Sequence, residues 1–255
     1  MENSYVLIMA GGIGSRFWPI SRTSQPKQFI DILGTGKTLI QQTYDRFTKI
    51  IPKENIFVVT NEMYGDLVKE QLPALKDHQI LCEPVMRNTA PCVAYGAYKI
   101  HNINPEATIV VAPSDHLIID THAFLASIQQ SLKTAAKHDC LVTLGIKPSR
   151  PDTGYGYIQY SNFKIDTDFF KVKTFTEKPD LEIAKTFVQS GDFLWNAGIF
   201  IWSAKAIIHA FEKHLPDISD IFREGDTAYN TDKEQAFIQR AYSLCTNISI
   251  DYGIM

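Results

Sequence analysis

Short apolar runs alternate with stretches of helical periodicity through the first part of the chain. The apolar runs are too short for helices and are typical of buried strands. Strands are predicted at residues 5–10, 56–60, 79–82, 108–112 and 141–145. The intervening segments carry apolar positions at helical spacing, and helices are predicted at residues 39–50, 62–72, 90–101 and 122–137.

Regular alternation of strand and helix is typical of a parallel sheet with helices on both faces. We therefore predict an α/β fold with a doubly wound, mostly parallel, Rossmann-like sheet. Ligands of such sheets bind outside the carboxyl ends of the strands, at a switch in strand order. Functional residues are accordingly expected in the loops that follow Ala10, Cys82 and Ala112.

The pattern changes after Pro148, where a Gly/Tyr-rich stretch leads into strands and helices that no longer alternate regularly. Strands are predicted at 157–160, 170–176 and 194–202, and helices at 181–190, 204–214 and 233–243. This half is predicted to be a mixed substrate-binding portion. Because no linker or repeat separates the two halves, we expect a single domain over residues 1–255.

The composition argues against several classes of protein. A hydrophobic content of 45% and a charged content of 21% are those of an ordinary globular domain. A net charge of -3 and a pI near 6.2 give no general basic surface, so nucleic acid is not an expected partner. The four cysteines show no C-x-x-C spacing and indicate reduced thiols of a cytoplasmic protein. Neither a signal peptide nor a membrane span is expected.

A glycine-rich turn follows the first predicted strand, in the run Ala10-Gly11-Gly12-Ile13-Gly14-Ser15-Arg16, with Lys27 close behind. Glycines lack a β-carbon, which lets backbone N–H groups approach phosphate oxygens. Arg16 adds a permanently charged guanidinium, and Lys27 adds a mobile ammonium group. The combination predicts a polyphosphate-binding loop. A plain tight turn with solvated Arg16 and Lys27 is the alternative.

Two other nucleotide-binding motifs are absent from this region. A dinucleotide fingerprint needs a third glycine where Phe17 stands, which argues against a Rossmann dehydrogenase. Gly36-Lys37-Thr38 resembles the end of a Walker A motif, but the first glycine of that motif would fall on Asp31.

The segment Leu7-Ile-Met-Ala-Gly-Gly-Ile-Gly-Ser-Arg-Phe-Trp-Pro-Ile-Ser-Arg22, continued by Pro26-Lys27-Gln28-Phe29, closely resembles the signature of the mannose-1-phosphate guanylyltransferases. Sugar nucleotidyltransferases in general share Gly-Gly-x-Gly-x-Arg and Pro-Lys. The pairs Trp18-Pro19, Ser21-Arg22 and Gln28-Phe29 are similar to the bacterial mannose-specific branch.

This resemblance implies the nucleotide-diphospho-sugar transferase fold, with Arg16 and Lys27 as catalytic residues. It implies that the nucleotide is bound along the first turn, by Ala10, Gly11, Gly12 and Gly14. The family pattern continues past residue 255 with a C-terminal region of β-structure, which we expect to be absent from this chain. The expectation is a single catalytic domain over residues 1–255.

Two aspartates are candidate ligands for Mg²⁺. Asp115 follows the strongest predicted strand, and a carboxylate there can hold Mg²⁺ against a triphosphate. The alternative is an aspartate that caps the next helix. Asp251 ends a short strand pattern and resembles the second metal ligand of the family, with a solvated carboxylate near the C-terminus as the alternative. His116 is interpreted as structural or as a neighbour of the metal site, because no other His or Cys stands at zinc-ligand spacing from it.

The base-binding residues are predicted in the loop after the third strand. Guanine offers two donors on one edge, and a single carboxylate can accept both, so Glu83 is the candidate for guanine choice. Asn88 and Thr89 lie nearby on a loop that resembles the base-binding segment of the family. The alternative for Glu83 is an exposed side chain before a proline.

The sugar phosphate is predicted to bind in the second half of the chain. Glu177 can accept from sugar hydroxyls, Lys178 can pair with the sugar phosphate, and Asn196 can both donate and accept. Gly154 and Gly198 permit close approach of the sugar ring, whereas Trp195 is interpreted as core packing. On its own, Glu177-Lys178 is more typical of a solvated pair, and its resemblance to the sugar-phosphate site of the family carries the assignment.

The resemblance implies transfer of GMP from GTP to mannose 1-phosphate, with Mg²⁺ as cofactor and a homodimer as a possible assembly. One alternative is the same chemistry with glucose 1-phosphate and UTP or dTTP. The other is a regulatory subunit that binds a nucleotide sugar without turnover.

Overall fold

A computed structural model of the chain describes residues 2–12, 18–166 and 168–255, apart from the side chains at positions 162, 165 and 166. In chain order, its strands and α-helices are β1 (Ser4–Met9), α1 (Leu39–Phe47), β2 (Ile56–Asn61), α2 (Gly65–Gln71), β3 (Ile80–Glu83), α3 (Thr89–Ile103), β4 (Thr108–Pro113), α4 (Thr121–Lys137), β5 (Val142–Ile146), β6 (Tyr157–Asp166), β7 (Phe169–Thr176), α5 (Leu181–Ser190), β8 (Phe193–Ser203), α6 (Ala204–His214), α7 (Pro216–Arg223), α8 (Glu234–Leu244) and α9 (Ile250–Gly253). Short 3-10 helices lie at Lys27–Phe29, Lys53–Asn55, Glu62–Tyr64 and Asp77–Gln79.

The chain folds as two compact units, Met1–Leu141 with Ile201–Ile254, and Val142–Phe200 with Met255. The first unit contains four parallel strands in the order β3-β2-β1-β4. Every residue of β2 is buried, and β1 is buried up to Met9, as expected for strands covered on both faces. The predicted α/β class with a mostly parallel sheet is confirmed for this unit.

Helix α3 packs closely against β1. Its residues from Ala90 to Ile100 are all buried. A β-carbon at Gly96 would clash with the side chain of Leu7, so glycine at this position lets the helix approach the strand. Because α3 follows the end of β3 after a short loop, its first turn lies at the carboxyl edge of the parallel strands.

The second unit is built on antiparallel pairing. Strand β6 pairs with β7 on one side and with β8 on the other, and β5 pairs with β8. Tyr157, Phe193 and Trp195 form a small core with Ala184 of α5, and Phe187 packs against it. The predicted packing role of Trp195 agrees with this position, at 8% exposure.

Two predicted elements differ from the structure, and one helix was not predicted. The fifth strand, predicted to continue the parallel alternation, is β5, which pairs with β8 in the second unit instead. Helix α7 was not predicted, although Pro216 stands in its first turn, where proline is favoured. The strand predicted before Asp251 is the short helix α9, capped by Ser249, whose hydroxyl accepts from the N–H of Tyr252.

Over the described ranges, no helix has both the length and the apolar content that crossing a bilayer requires.

Candidate active site

The turn after β1 is fixed by a buried glutamine. The Gln28 side-chain amide donates to the carbonyl oxygens of Ala10 and Gly12, at 2.8 and 2.9 Å. The Thr60 hydroxyl also donates to Ala10, at 3.0 Å. These bonds use the carbonyls of the turn and hold its backbone at the carboxyl edge of the parallel strands. Sequence reasoning did not assign this role to Gln28, although it follows Lys27 directly in the signature run.

Gly14 and Arg16 lie outside the described residues, so their predicted phosphate contacts stay predictions. The part of the turn that the structure describes, Ala10 to Gly12, lies where ligands of parallel sheets bind.

Lys27 and Asp115 form an ion pair across this edge of the sheet. Lys27 begins a 3-10 helix, and Asp115 follows the end of β4. Their side chains are 25% and 21% exposed, so the pair is half-buried but reachable from solvent. The helix-capping alternative for Asp115 is wrong, because Asp120 caps α4 by accepting from the N–H of Ala123.

His116 lies beside this pair and supports the structural interpretation. Burial lowers its pKa below the usual 6.5, while the charge of Asp115 acts in the opposite direction. The imidazole is therefore neutral at pH 7 and adds no charge to the site.

Glu83 ends β3 with its carboxyl group buried, at 5% exposure. The Tyr242 hydroxyl donates to Oε1 of Glu83 at 2.8 Å. A β-carbon at Gly11 would lie 3.3 Å from Oε2, so the carboxyl lies directly against the glycine turn. Burial raises the pKa of Glu83 to about 7, and the hydrogen bond from Tyr242 opposes that rise. The alternative of an exposed glutamate before a proline is therefore wrong.

Asn88 and Thr89 begin α3 near Glu83. Asn88 has a left-handed φ of 66° and is the N-cap, with its side chain accepting from the N–H of Thr89. The Thr89 hydroxyl accepts from the N–H of Ile250 at 2.9 Å. Thr89 therefore anchors the start of α9, whose first turn carries Asp251.

The predicted sugar-phosphate residues cluster within the second unit. Lys178 forms an ion pair with Glu177 at 2.8 Å, with side chains 51% and 12% exposed. A β-carbon at Gly156 would clash with Oε2 of Glu177. The N–H of Asn196 donates to the Gly156 carbonyl at 2.8 Å. Glu177 and Asn196 thus meet at Gly156, and Lys178 joins them through its ion pair with Glu177.

The fourth predicted residue, Gly154, belongs to the neighbouring turn, where its N–H donates to Asp152 at 2.9 Å. Sequence reasoning missed Thr143, whose hydroxyl donates to Oδ1 of Asn196 at 3.2 Å. The N–H of Gly198 donates to the same oxygen at 3.0 Å. Both donors fix the orientation of the Asn196 amide, because they require its oxygen on that side.

The carboxylate of Asp115 at the sheet edge suits Mg²⁺ better than it suits a metal ion whose ligands all come from the protein. Mg²⁺ takes one or two carboxylates and completes its shell with water and phosphate oxygens. Asp115 supplies one carboxylate, whose remaining lone pairs can bind a cation beside Lys27. Within the described residues, no three His, Cys, Asp or Glu side chains cluster as a protein cage would require.

The glycine turn, Lys27 and the buried carboxyl of Glu83 lie at the carboxyl edge of the parallel strands, where α/β proteins bind their ligands. Residues 5–242 match the Nucleotidyl transferase family, and the chain belongs to this family.

Two curated relatives match this chain over nearly its whole length. The mannose-1-phosphate guanylyltransferase of Escherichia coli (strain K12) is 37% identical over 98% of this chain and 54% of that protein. The xanthan biosynthesis protein XanB of Xanthomonas campestris pv. campestris is 36% identical over 100% of this chain and 54% of that protein. The chain thus spans about half the length of these relatives.

A crystal structure described as mannose-1-phosphate geranyltransferase from Thermus thermophilus has a TM-score of 0.88 and 29% identity. The match covers 99% of this chain and 71% of that chain. This likeness agrees with the predicted nucleotide-diphospho-sugar transferase fold.

Proposed function

We propose that this protein transfers GMP from GTP to mannose 1-phosphate, giving GDP-mannose and pyrophosphate. The observation that carries the proposal is the buried Glu83 carboxyl, which lies against the glycine turn and can accept both donors of a guanine edge. The relatives named for this reaction support the same substrates. Asn88 and Thr89 complete the proposed base site.

The proposed reaction is an in-line displacement at the α-phosphorus of GTP. An oxygen of the mannose 1-phosphate phosphate group forms the new P–O bond, and the bond to the β-phosphate oxygen breaks as pyrophosphate leaves. The attacking oxygen is already anionic at neutral pH, so no general base is required. Catalysis then depends on positioning and on neutralising charge.

The first unit holds GTP in this proposal. Arg16 and the N–H groups of Gly11, Gly12 and Gly14 bind the triphosphate. The Lys27 ammonium has three N–H donors, so it can keep its contact with Asp115 and also donate to a phosphate oxygen.

Mg²⁺, held by Asp115 and Asp251, would supply further charge neutralisation at the phosphates. A homodimer and a cytoplasmic location stay predictions.

The second unit holds mannose 1-phosphate. Lys178, half-exposed beside Glu177, pairs with the sugar phosphate. Glu177 accepts from sugar hydroxyls, and Asn196 contributes its amide from an orientation that Thr143 fixes. Gly154 lets the sugar ring approach the backbone closely. This group of contacts favours a phosphorylated sugar over a neutral one, because Lys178 adds a positive charge next to hydroxyl acceptors.

Pyrophosphate release from GTP, mannose 1-phosphate and Mg²⁺ tests the proposal. The wild-type protein should turn over GTP in preference to UTP and dTTP. Lys27→Met, which removes a charge on the proposed triphosphate, should lower kcat by about 100-fold or more while retaining the fold.

Lys205→Met is the matched control, because Lys205 is an exposed lysine paired with Glu106. It should leave kcat unchanged. Binding of GDP-mannose without pyrophosphate release would instead indicate a regulatory subunit. Near wild-type turnover of Lys27→Met would remove Lys27 from the mechanism.

A further inference from the structure

Tyr242 joins the last long helix of the first unit to the proposed base site. It lies on α8, is fully buried, and donates its hydroxyl to Oε1 of Glu83 at 2.8 Å. The Phe222 ring packs edge-on against it, with centroids 5.9 Å apart. Packing on the ring and a hydrogen bond at its tip leave this side chain one orientation.

Helix α8 is itself held by contacts with α3 and with Arg87, which precedes α3. At its N-terminal end, Glu234 forms an ion pair of 2.5 Å with Lys99, whose side chain is 2% exposed. Tyr95 also donates to Glu234, at 2.6 Å. At the other end, Nε of Arg87 donates to the Tyr242 carbonyl at 3.2 Å. A helix tied at both ends presents the Tyr242 hydroxyl at a fixed point.

The hydrogen bond restricts how the Glu83 carboxyl can turn. Tyr242 uses one lone pair of Oε1, while Oε2 faces the glycine turn at Gly11. Each carboxylate oxygen has two lone pairs, so both oxygens can still accept from a ligand. The carboxyl plane is thereby set before any base arrives, which reduces the entropy lost on binding.

We propose that Tyr242 is a specificity-determining positioning residue, which orients the Glu83 carboxylate so that it accepts N1–H and the N2 amino group of guanine together. This inference rests on the proposed function of Glu83. It adds a residue that does not touch the base but decides which base edge the carboxylate fits.

The hydrogen bond also favours the ionised form of Glu83. Burial raises the pKa of this carboxyl, and donation by Tyr242 lowers it. Glu83 interacts electrostatically with Tyr242 of α8, Cys92 of α3 and Cys82 of β3. Both thiols have raised pKa values and stay neutral near pH 7, so loss of the hydroxyl is the change that shifts Glu83 toward its protonated form.

Tyr242→Phe tests the inference through base preference and pH profile. The substrates are GTP and ITP, whose base lacks the N2 amino group. The variant should raise the KM for GTP about tenfold with little change in kcat, and should reduce the preference for GTP over ITP. The midpoint of the pH dependence of KM for GTP should move upward by about one pH unit.

Tyr98→Phe is the matched control. Tyr98 is also buried, stacks on Phe222 with centroids 6.3 Å apart, and bonds through its hydroxyl to Oγ of Ser219 at 2.8 Å. Its removal disturbs the same aromatic cluster without touching Glu83. It should leave both the GTP/ITP preference and the pH midpoint unchanged.

A site-specific difluorotyrosine at position 242 provides a second test in case Tyr242→Phe does not fold. It keeps the ring and the hydroxyl but is a stronger donor, so the pH midpoint should move downward. Unchanged preference and midpoint in both substitutions, or equal changes in Tyr98→Phe, would overturn the inference while guanine use by the wild type stands. A wild-type protein that does not prefer guanine nucleotides would overturn the proposed function itself.

Discussion

Glu83 makes the stability of this protein depend on pH in a direction that can be worked out. Burial raises the pKa of its carboxyl from 4.5 to about 7. A carboxyl whose folded-state pKa exceeds its unfolded-state value binds its proton more tightly in the folded protein. The free energy of unfolding therefore falls as pH rises from 4.5 to about 7, and it stays at the lower level above that range.

Glu83→Gln removes this titration while keeping an acceptor for the Tyr242 hydroxyl. The difference between the two pKa values corresponds to about 3 kcal/mol, at roughly 1.4 kcal/mol per pH unit. The unfolded-state carboxyl is already mostly ionised at about pH 5. Between about pH 5 and pH 8, the variant should therefore gain about 2 to 3 kcal/mol relative to the wild type.

Urea denaturation of both proteins at the two pH values measures this change. The other titratable groups are common to both proteins, so their contributions largely cancel. In thermal melts the same change corresponds to a relative shift in Tm of roughly 5–10 °C. GTP turnover by Glu83→Gln should fall, because the amide presents a donor where the carboxylate accepts. An equal stability difference at both pH values would refute the raised pKa of Glu83.

Two further substitutions, Glu234→Ala and Gly156→Ala, test other contacts, and Lys205→Ala is the control for the first. Glu234→Ala leaves the buried ammonium of Lys99 without its carboxylate and should lower the free energy of unfolding by about 3–5 kcal/mol in urea denaturation. Lys205→Ala breaks an exposed ion pair and should change it by about 1 kcal/mol or less, so similar losses in both would contradict a stabilising buried pair. Gly156→Ala forces the Glu177 carboxylate to move and should raise the KM for mannose 1-phosphate about tenfold with the KM for GTP unchanged, whereas equal effects on both KM values would separate Gly156 from the sugar site.

The sequence predicted the elements whose pattern is local. The buried runs of β1, β2 and β4 stand out because each residue lies in a strand covered on both faces. Periodicity located α5 and α6 with the bounds that the structure has. Pairing is not local, so β5 was assigned to the parallel alternation although its partner, β8, lies about 50 residues further along the chain.

The same distinction applies to the candidate site. Lys27 and Asp115 were predicted separately, one from a loop signature and the other from its place after a strand, and the sheet brings them into contact. Glu83 was predicted from its position after β3, but its burial, which raises its pKa, and the hydrogen bond from Tyr242 of α8, which opposes that rise, appear only in the folded chain.

What the sequence by itself determined is which residues stand at the ends of the parallel strands, because each strand is a short continuous apolar run whose end is visible in the sequence. The tertiary structure decided which side chains complete them. Tyr242 is 159 positions from Glu83, and no local pattern marks it as a partner. Burial of a carboxyl and the hydrogen bond that orients it arise only when distant helices pack, since both depend on exclusion of water by residues far apart in the chain.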